Sequence, residues 1–168
     1  RWIEFCAMLR DNLRPLGEEK THSHGYMTTI RGLQVMTLLT GDLSWNAIPD
    51  RSQKYIIEKH LVMPDGNIPE GFPTSLRNEG CSIADWIMLN LNQGLINDDD
   101  DAYDKAERAC WNALAFNQFI TGGFGHRRIA SNGYGVDQIQ EAWWCCTQNG
   151  GYAISEYARH SVTFRNDT

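Results

Sequence analysis

No apolar stretch in this chain is long enough to cross a membrane, basic residues are not in excess, and the cysteines do not form an even, regular set. The longest apolar run, "IADWIMLNL", is broken by Asp85 and Asn90 and falls short of the roughly 18 residues that a spanning helix needs. Lys and Arg total 15 against 21 Asp and Glu, a formal charge of -6. A nucleic-acid surface carries a basic stripe, so this balance argues against that class of partner. The cysteines are Cys6, Cys81, Cys110, Cys145 and Cys146, an odd count with irregular spacing. That is not the pattern of a secreted disulfide scaffold. Reduced thiols, and with them a cytoplasmic location, are the expectation.

What is present is an ordinary globular composition, 42% hydrophobic and 21% charged over 168 residues, enough for one domain with its own core. The chain opens at Arg1 without Met and stops at Thr168 in a strand-like segment. A single domain over 1–168, cut from a larger one, is therefore expected. The periodicity reads as mostly helical. Helices are expected over 1–14, 24–40, 43–60 (its register disturbed by Pro49), 80–93, from an Asp101 cap to about Phe119, and over 150–160. The stretch "MPDGNIPEGFPTSLRNEG" reads as a long loop, as does "TGGFGHRRIASNGYG". Residues 137–145 read as a short helix or an extended segment, and "SVTFRND" as the start of a strand.

"LQVMTLLTGDLSWNAIPDRSQKYI" and "WIMLNLNQGLINDDDDAYDKAERA" share one form: apolar helix, polar turn, second helix. Repeats of this size imply stacked helical hairpins, which bury their faces on one another. Three hairpins make an arc, and a closed toroid needs about twice as many. The acidic run Asp98–Asp101 lacks the alternating ligands and central glycine of a calcium loop and reads as a solvated turn.

Chemistry concentrates in two short stretches. "EAWWCCTQNGG" places Cys145 and Cys146 side by side, followed by Gly150 and Gly151. Neighbouring side chains on a regular helix or strand point apart, so both thiols face one site only where the backbone is irregular. "NEGC" places Glu79 and Cys81 at a loop-to-helix junction. Glu79, Cys81, Cys145 and Cys146 together are a donor set for zinc. Core packing, a strained vicinal disulfide and a nucleophilic role remain open for the cysteine pair. Glu79 taken alone reads as a helix-capping residue. Cys6 and Cys110 lie on apolar helical faces and read as core.

At "NEGCSIADWIMLN" and "CCTQN" taken together, the sequence resembles the beta-L-arabinofuranosidase group of glycoside hydrolases, family 127 and its relatives. The resemblance extends to "HSHGYMTTIRGLQVMTLLTGD" upstream and to Glu107-Arg108 and Trp111-Asn112 between the two stretches. It covers residues 20–160 in order. It implies an all-α catalytic domain of antiparallel helical hairpins closed into an (α/α)6 toroid, followed by β-sandwich domains. It implies zinc as cofactor, held by Glu79, Cys81, Cys145 and Cys146, with a carbohydrate as substrate. Cys145 is then the nucleophile and Glu70, in "PEGF", the acid/base. His22, His24 and His126 are substrate hydrogen-bonding candidates. Two features depart from the family pattern. Thr147 and Gln148 stand where it has prolines, and Trp143 and Trp144 stand where smaller residues are usual.

The expected function is a retaining glycoside hydrolase acting on L-arabinofuranosides or a related sugar through a zinc-bound cysteine. A helical scaffold with a structural zinc site is the alternative from another class. A toroid glycosidase or lyase working through carboxylates is a further one.

Overall fold

Met27, Ile30 and Gln34 recur at three- and four-residue intervals, and that spacing winds Ser23–Thr40 (α2) into a helix with one buried face. Gly41, at φ 71, ends it in the left-handed conformation that glycine adopts without strain. The computed structural model describes residues 1–17, 19–129 and 135–162. From residue 163 onward, the strand expected in "SVTFRND" lies outside the described residues.

The other helices are Trp2–Asp11 (α1), Ala47–Glu58 (α3), Gly80–Asn97 (α4), Asp100–Arg108 (α5), Ala115–Asn117 (α6) and Gln148–His160 (α7). Several differ from the sequence expectation for identifiable reasons. A 3₁₀ turn, Leu43–Asn46, precedes α3, so Pro49 falls in the first helical turn, where no intrahelical N–H bond is needed. Asp99, not Asp101, caps α5: its carboxylate accepts from the Asp101 N–H at 3.1 Å. α5 runs through a π-helical turn, Ala109–Leu114, into α6. The all-α expectation is corrected by two small antiparallel sheets. Thr21–His22 (β1) pairs with Gly71–Phe72 (β2), and Arg77–Glu79 (β3), Gly125–Ile129 (β4) and Gly135–Glu141 (β5) lie in that order in a second sheet.

α2–α3 and α4–α5 are the two hairpins of the sequence repeat. α4 is the central element, packed against α2 on one side and α7 on the other. Cys81, Ile83, Ala84, Trp86, Ile87 and Leu89 of α4 are all buried, as an element with neighbours all round requires. Gln34, Gln53, Gln93 and Asn46 form a buried amide cluster among α2, α3, α4 and the 3₁₀ turn. α1, by contrast, buries no residue: Trp2, Ile3, Phe5 and Leu9 are exposed, as are Val35, Leu38 and Leu39 of α2. No helix among the described residues is long and apolar enough to cross a membrane.

Candidate functional site

α2, α4 and α7 all begin at one place. His22 is the N-cap residue of α2, Glu79 that of α4, and α7 grows out of a π-helical turn over Trp143–Thr147. Ser23 and Ser82, in the first turns of α2 and α4, touch through their hydroxyls at 2.8 Å. The Cys81 and Cys146 sulfurs, at the starts of α4 and α7, lie 3.7 Å apart. Helix N-termini carry partial positive charge, so their meeting point favours thiolate and carboxylate groups.

The π-helical turn answers how two adjacent cysteines serve one site. The N–H groups of Cys145 and Thr147 both donate to the Ala142 carbonyl, at 3.3 and 3.1 Å. The widened turn directs both sulfurs toward Cys81 rather than to opposite sides. Thr147 anchors the turn from outside: its hydroxyl accepts from the Phe124 N–H at 2.9 Å, a bond that a proline there could not supply. Two glycines permit the close packing. A Cβ at Gly80 would lie 2.8 Å from the Phe124 Cβ and 3.3 Å from the Cys146 Cβ. One at Gly150 would strike the Phe124 ring.

Glu79 is buried and does not cap its helix. Its Oε1 takes a hydrogen bond from the Ser82 hydroxyl at 2.8 Å and lies 2.8 Å from His22 Nε2. The antiparallel register Glu79↔His126 brings His126 beside it, which corrects the loop expected over that stretch. Three clusters have donor atoms within 4.8 Å of one another: His24, Cys81 and Cys145; Glu79, His126 and Cys146; His22, Glu70 and Glu79, the last two sharing Glu79 and the first joined to the second by the Cys81–Cys146 contact. All eight candidate residues from the sequence therefore converge on one region. Glu70 is clamped by Arg77 in a two-point ion pair, its second bond running from Nη2 to Oε1 at 2.7 Å, and lies 3.9 Å from His126 Nδ1. A cleft of about 250 Å³ opens at His22, Glu70 and Phe72.

All five cysteines are free thiols, so the vicinal disulfide is not formed. Cys81 and Cys146 are buried and Cys145 is half-buried. The bond shared with Cys81 holds the Cys146 thiol down to about 7, while the same bond, together with burial and Glu79, pushes Cys81 far upward. Burial raises the Cys145 thiol. Cys110 is core as expected, its thiol pushed up to about 11 by burial, whereas Cys6 is only half-buried.

Two elements of the site went unread in the sequence. Asp85 is wholly buried and accepts hydrogen bonds from His24, Thr28 and Arg31. Its hydrogen bond is the main reason that the His24 imidazolium is favoured beyond the usual histidine range. The signal was the stripe His24, Thr28, Arg31 at helical spacing opposite a lone acid in an apolar helix. The second element is a buried amide chain. Asn78 donates to Asn67 at 2.7 Å and accepts from Asn117 at 3.3 Å, while Asn117 accepts from the Gly125 N–H and donates to the Gly125 carbonyl. It pins β3 and β4 to α6. Trp143 and Trp144 are 71% and 57% exposed and meet edge to face at 5.8 Å, so they are not core.

No protein-family model and no curated protein matches the chain. Among solved structures it is similar to an inactive variant of an alpha-1,6-mannanase, GH76A of Salegentibacter sp. HEL1_6, in complex with alpha-1,6-mannotriose. The TM-score is 0.61 at 12% identity, over 95% of this chain and 52% of the mannanase. The chain thus spans about half the length of that enzyme and shares its fold over that half.

Proposed function

We propose that the chain is part of an (α/α)6 toroid catalytic domain and belongs to a retaining glycoside hydrolase that uses Cys145 as nucleophile. The observation that carries this reading is the convergence of Cys81, Cys145, Cys146 and Glu79 where the starts of α4 and α7 meet. Zinc–sulfur bonds of about 2.3 Å at a tetrahedral angle put two sulfurs about 3.8 Å apart. The 3.7 Å between Cys81 and Cys146 fits that donor set. Glu79, Cys81 and Cys146 would hold the ion with Cys145 as the fourth donor. Bound zinc supplies one thing here: it keeps the thiols ionised near neutral pH.

The reaction itself falls to side chains. Cys145 Sγ attacks the anomeric carbon and a C–S bond forms as the bond to the leaving oxygen breaks. Glu70 donates a proton to that oxygen. It then takes a proton from water as the water displaces the sulfur. Two displacements retain configuration. Arg77 engages both oxygens of the Glu70 carboxylate, so this ion pair must open before Glu70 can carry the proton that it donates. The exposed faces of Trp143 and Trp144, next to Cys145, offer a stacking surface for a sugar ring. An L-arabinofuranoside or a related sugar is the proposed substrate. The uncovered apolar faces of α1 and α2 are where the remaining hairpins of a toroid would pack.

The test is turnover of a panel of aryl glycosides by the full chain and by Cys145→Ala. Loss of the nucleophile should cost at least about 10³-fold. Wild-type turnover in the variant would remove Cys145 from the mechanism. The likeness to a mannanase favours a second reading, a toroid glycosidase working through carboxylates. Its sign would be activity on mannosides that survives loss of both Cys145 and Cys146.

A further inference from the structure

Asp85 lies one helical turn along α4 from Cys81, on the same face, with none of its side chain exposed. A buried carboxylate requires compensation. Arg31 Nη1 supplies a charge to Oδ1 at 2.9 Å. The other oxygen, Oδ2, receives two further bonds from the same helix, from Thr28 Oγ1 at 2.8 Å and His24 Nδ1 at 2.6 Å. An ionised carboxylate only accepts, so His24 Nδ1 carries the proton. Nε2 is then the ring nitrogen left to serve the site. His22 has the opposite assignment. Its Nδ1 accepts from the Gly25 N–H at 3.3 Å, and its Nε2 donates to Glu79 at 2.8 Å. Two histidines, two residues apart, are thus held in opposite proton arrangements by two buried acids. His24 stands within 4.8 Å of the Cys81 and Cys145 sulfurs.

We propose that Asp85 is a positioning residue: through the Nδ1–H of His24 it fixes the ring so that Nε2 meets a hydroxyl of the sugar held at Cys145. The nature of the ligand rests on the glycosidase reading. The arrangement of Asp85 and His24 does not. Arg31 on Oδ1 and Thr28 on Oδ2 already give each carboxylate oxygen a donor. The additional bond to a ring at the edge of the sulfur cluster is what points to a role at the site.

Nitrogen-15 NMR of the histidine-labelled full chain, with His24 assigned by its loss in His24→Gln, tests the arrangement directly in the wild-type protein. A protonated Nδ1 on His24 and an unprotonated Nδ1 on His22 are expected. A His24 with a bare Nδ1 overturns the proposal. The role is tested by a double-mutant cycle with Asp85→Asn and His24→Gln on the glycoside that the wild type turns over. Each single change should lower kcat/KM by about 10- to 100-fold, and the double variant should lose little more than His24→Gln alone. Additive losses would make Asp85 structural and overturn the proposal. If Asp85→Asn does not fold, Thr28→Val, which removes one donor from the same oxygen, should shift the His24 Nδ1 resonance, and no shift counts against the proposal. If the wild type turns over no glycoside, the glycosidase reading fails while the NMR result still decides the Asp85–His24 arrangement.

Discussion

The sulfurs of Cys81 and Cys146 lie 3.7 Å apart although 65 residues separate them in the chain. Two thiols at that distance either share a hydrogen bond or share a metal ion. With Glu79 and Cys145 alongside, the full chain is expected to purify with one zinc per molecule. Cys81→Ala and Cys146→Ala should each lose it, and Cys110→Ala, in the core away from the site, should keep it. Elemental analysis after extensive dialysis decides this. Zinc retained in both site variants would sink the assignment. Chelation should also lower the melting temperature of the wild type, because an ion bound only by the folded state stabilises that state.

Glu70→Gln probes the acid. Its loss should slow hydrolysis of alkyl glycosides by about 10²- to 10⁴-fold. Aryl glycosides with acidic phenols leave without help and should lose far less in the first displacement. Equal losses on both substrate types would show that Glu70 does not protonate the leaving oxygen.

Gly80 lets β3 turn into α4 against Phe124 and Cys146. In Gly80→Ala the new methyl would lie 2.8 Å from the Phe124 Cβ and 3.0 Å from Asn117 Oδ1. Those atoms belong to packed neighbours, so relief requires displacement of β4 or the Cys146 turn. A loss of about 1–3 kcal/mol in denaturant unfolding is expected. An unchanged midpoint and slope would contradict the packing described.

Asp65 gives a pH-dependent outcome. It occupies the turn Met63–Gly66, where the Gly66 N–H donates to the Met63 carbonyl at 2.9 Å and Asp65 itself accepts from Asn67 N–H at 3.0 Å. Burial raises its carboxyl above the usual value of 3.8. The folded state therefore holds this proton more tightly than the unfolded state does. The resulting cost is absent below pH 3.8, grows as pH rises toward the folded value, and is full above it. Asp65→Asn keeps an acceptor for Asn67 and removes the charge. The variant should match or exceed wild-type stability at pH 7, with the difference vanishing in acid. A variant less stable than wild type at neutral pH, measured by urea unfolding, would reverse this reading.

Much of the scaffold was legible because helices announce themselves locally. Met27, Ile30 and Leu33 recur at helical spacing, and the two hairpins α2–α3 and α4–α5 show as a repeat in the order of residues alone. The sheet was not legible. β3 to β5 carry Arg77, Arg127, Arg128, Gln138 and Gln140, without the alternating apolar face that marks a strand. Their pairing is held by backbone bonds and by the buried Asn78 and Asn117, which are contacts between distant segments. Trp143 and Trp144 are large amphipathic rings, a residue type that serves equally in a core or on a sugar-facing surface. Only their exposure separates the two.

The sequence by itself determined the chemistry available: three sulfurs and a carboxylate in two short stretches, with His22, His24 and Glu70 upstream of both and His126 between them. Residue type and local spacing are sufficient for that. Only the tertiary structure decided that the starts of α2, α4 and α7 meet, that a π-helical turn directs both adjacent cysteines to one side, and that Asp85 holds His24 from beneath. Those relationships depend on how helices dozens of residues apart pack together. Local propensity, confined to neighbours along the chain, contains no record of them.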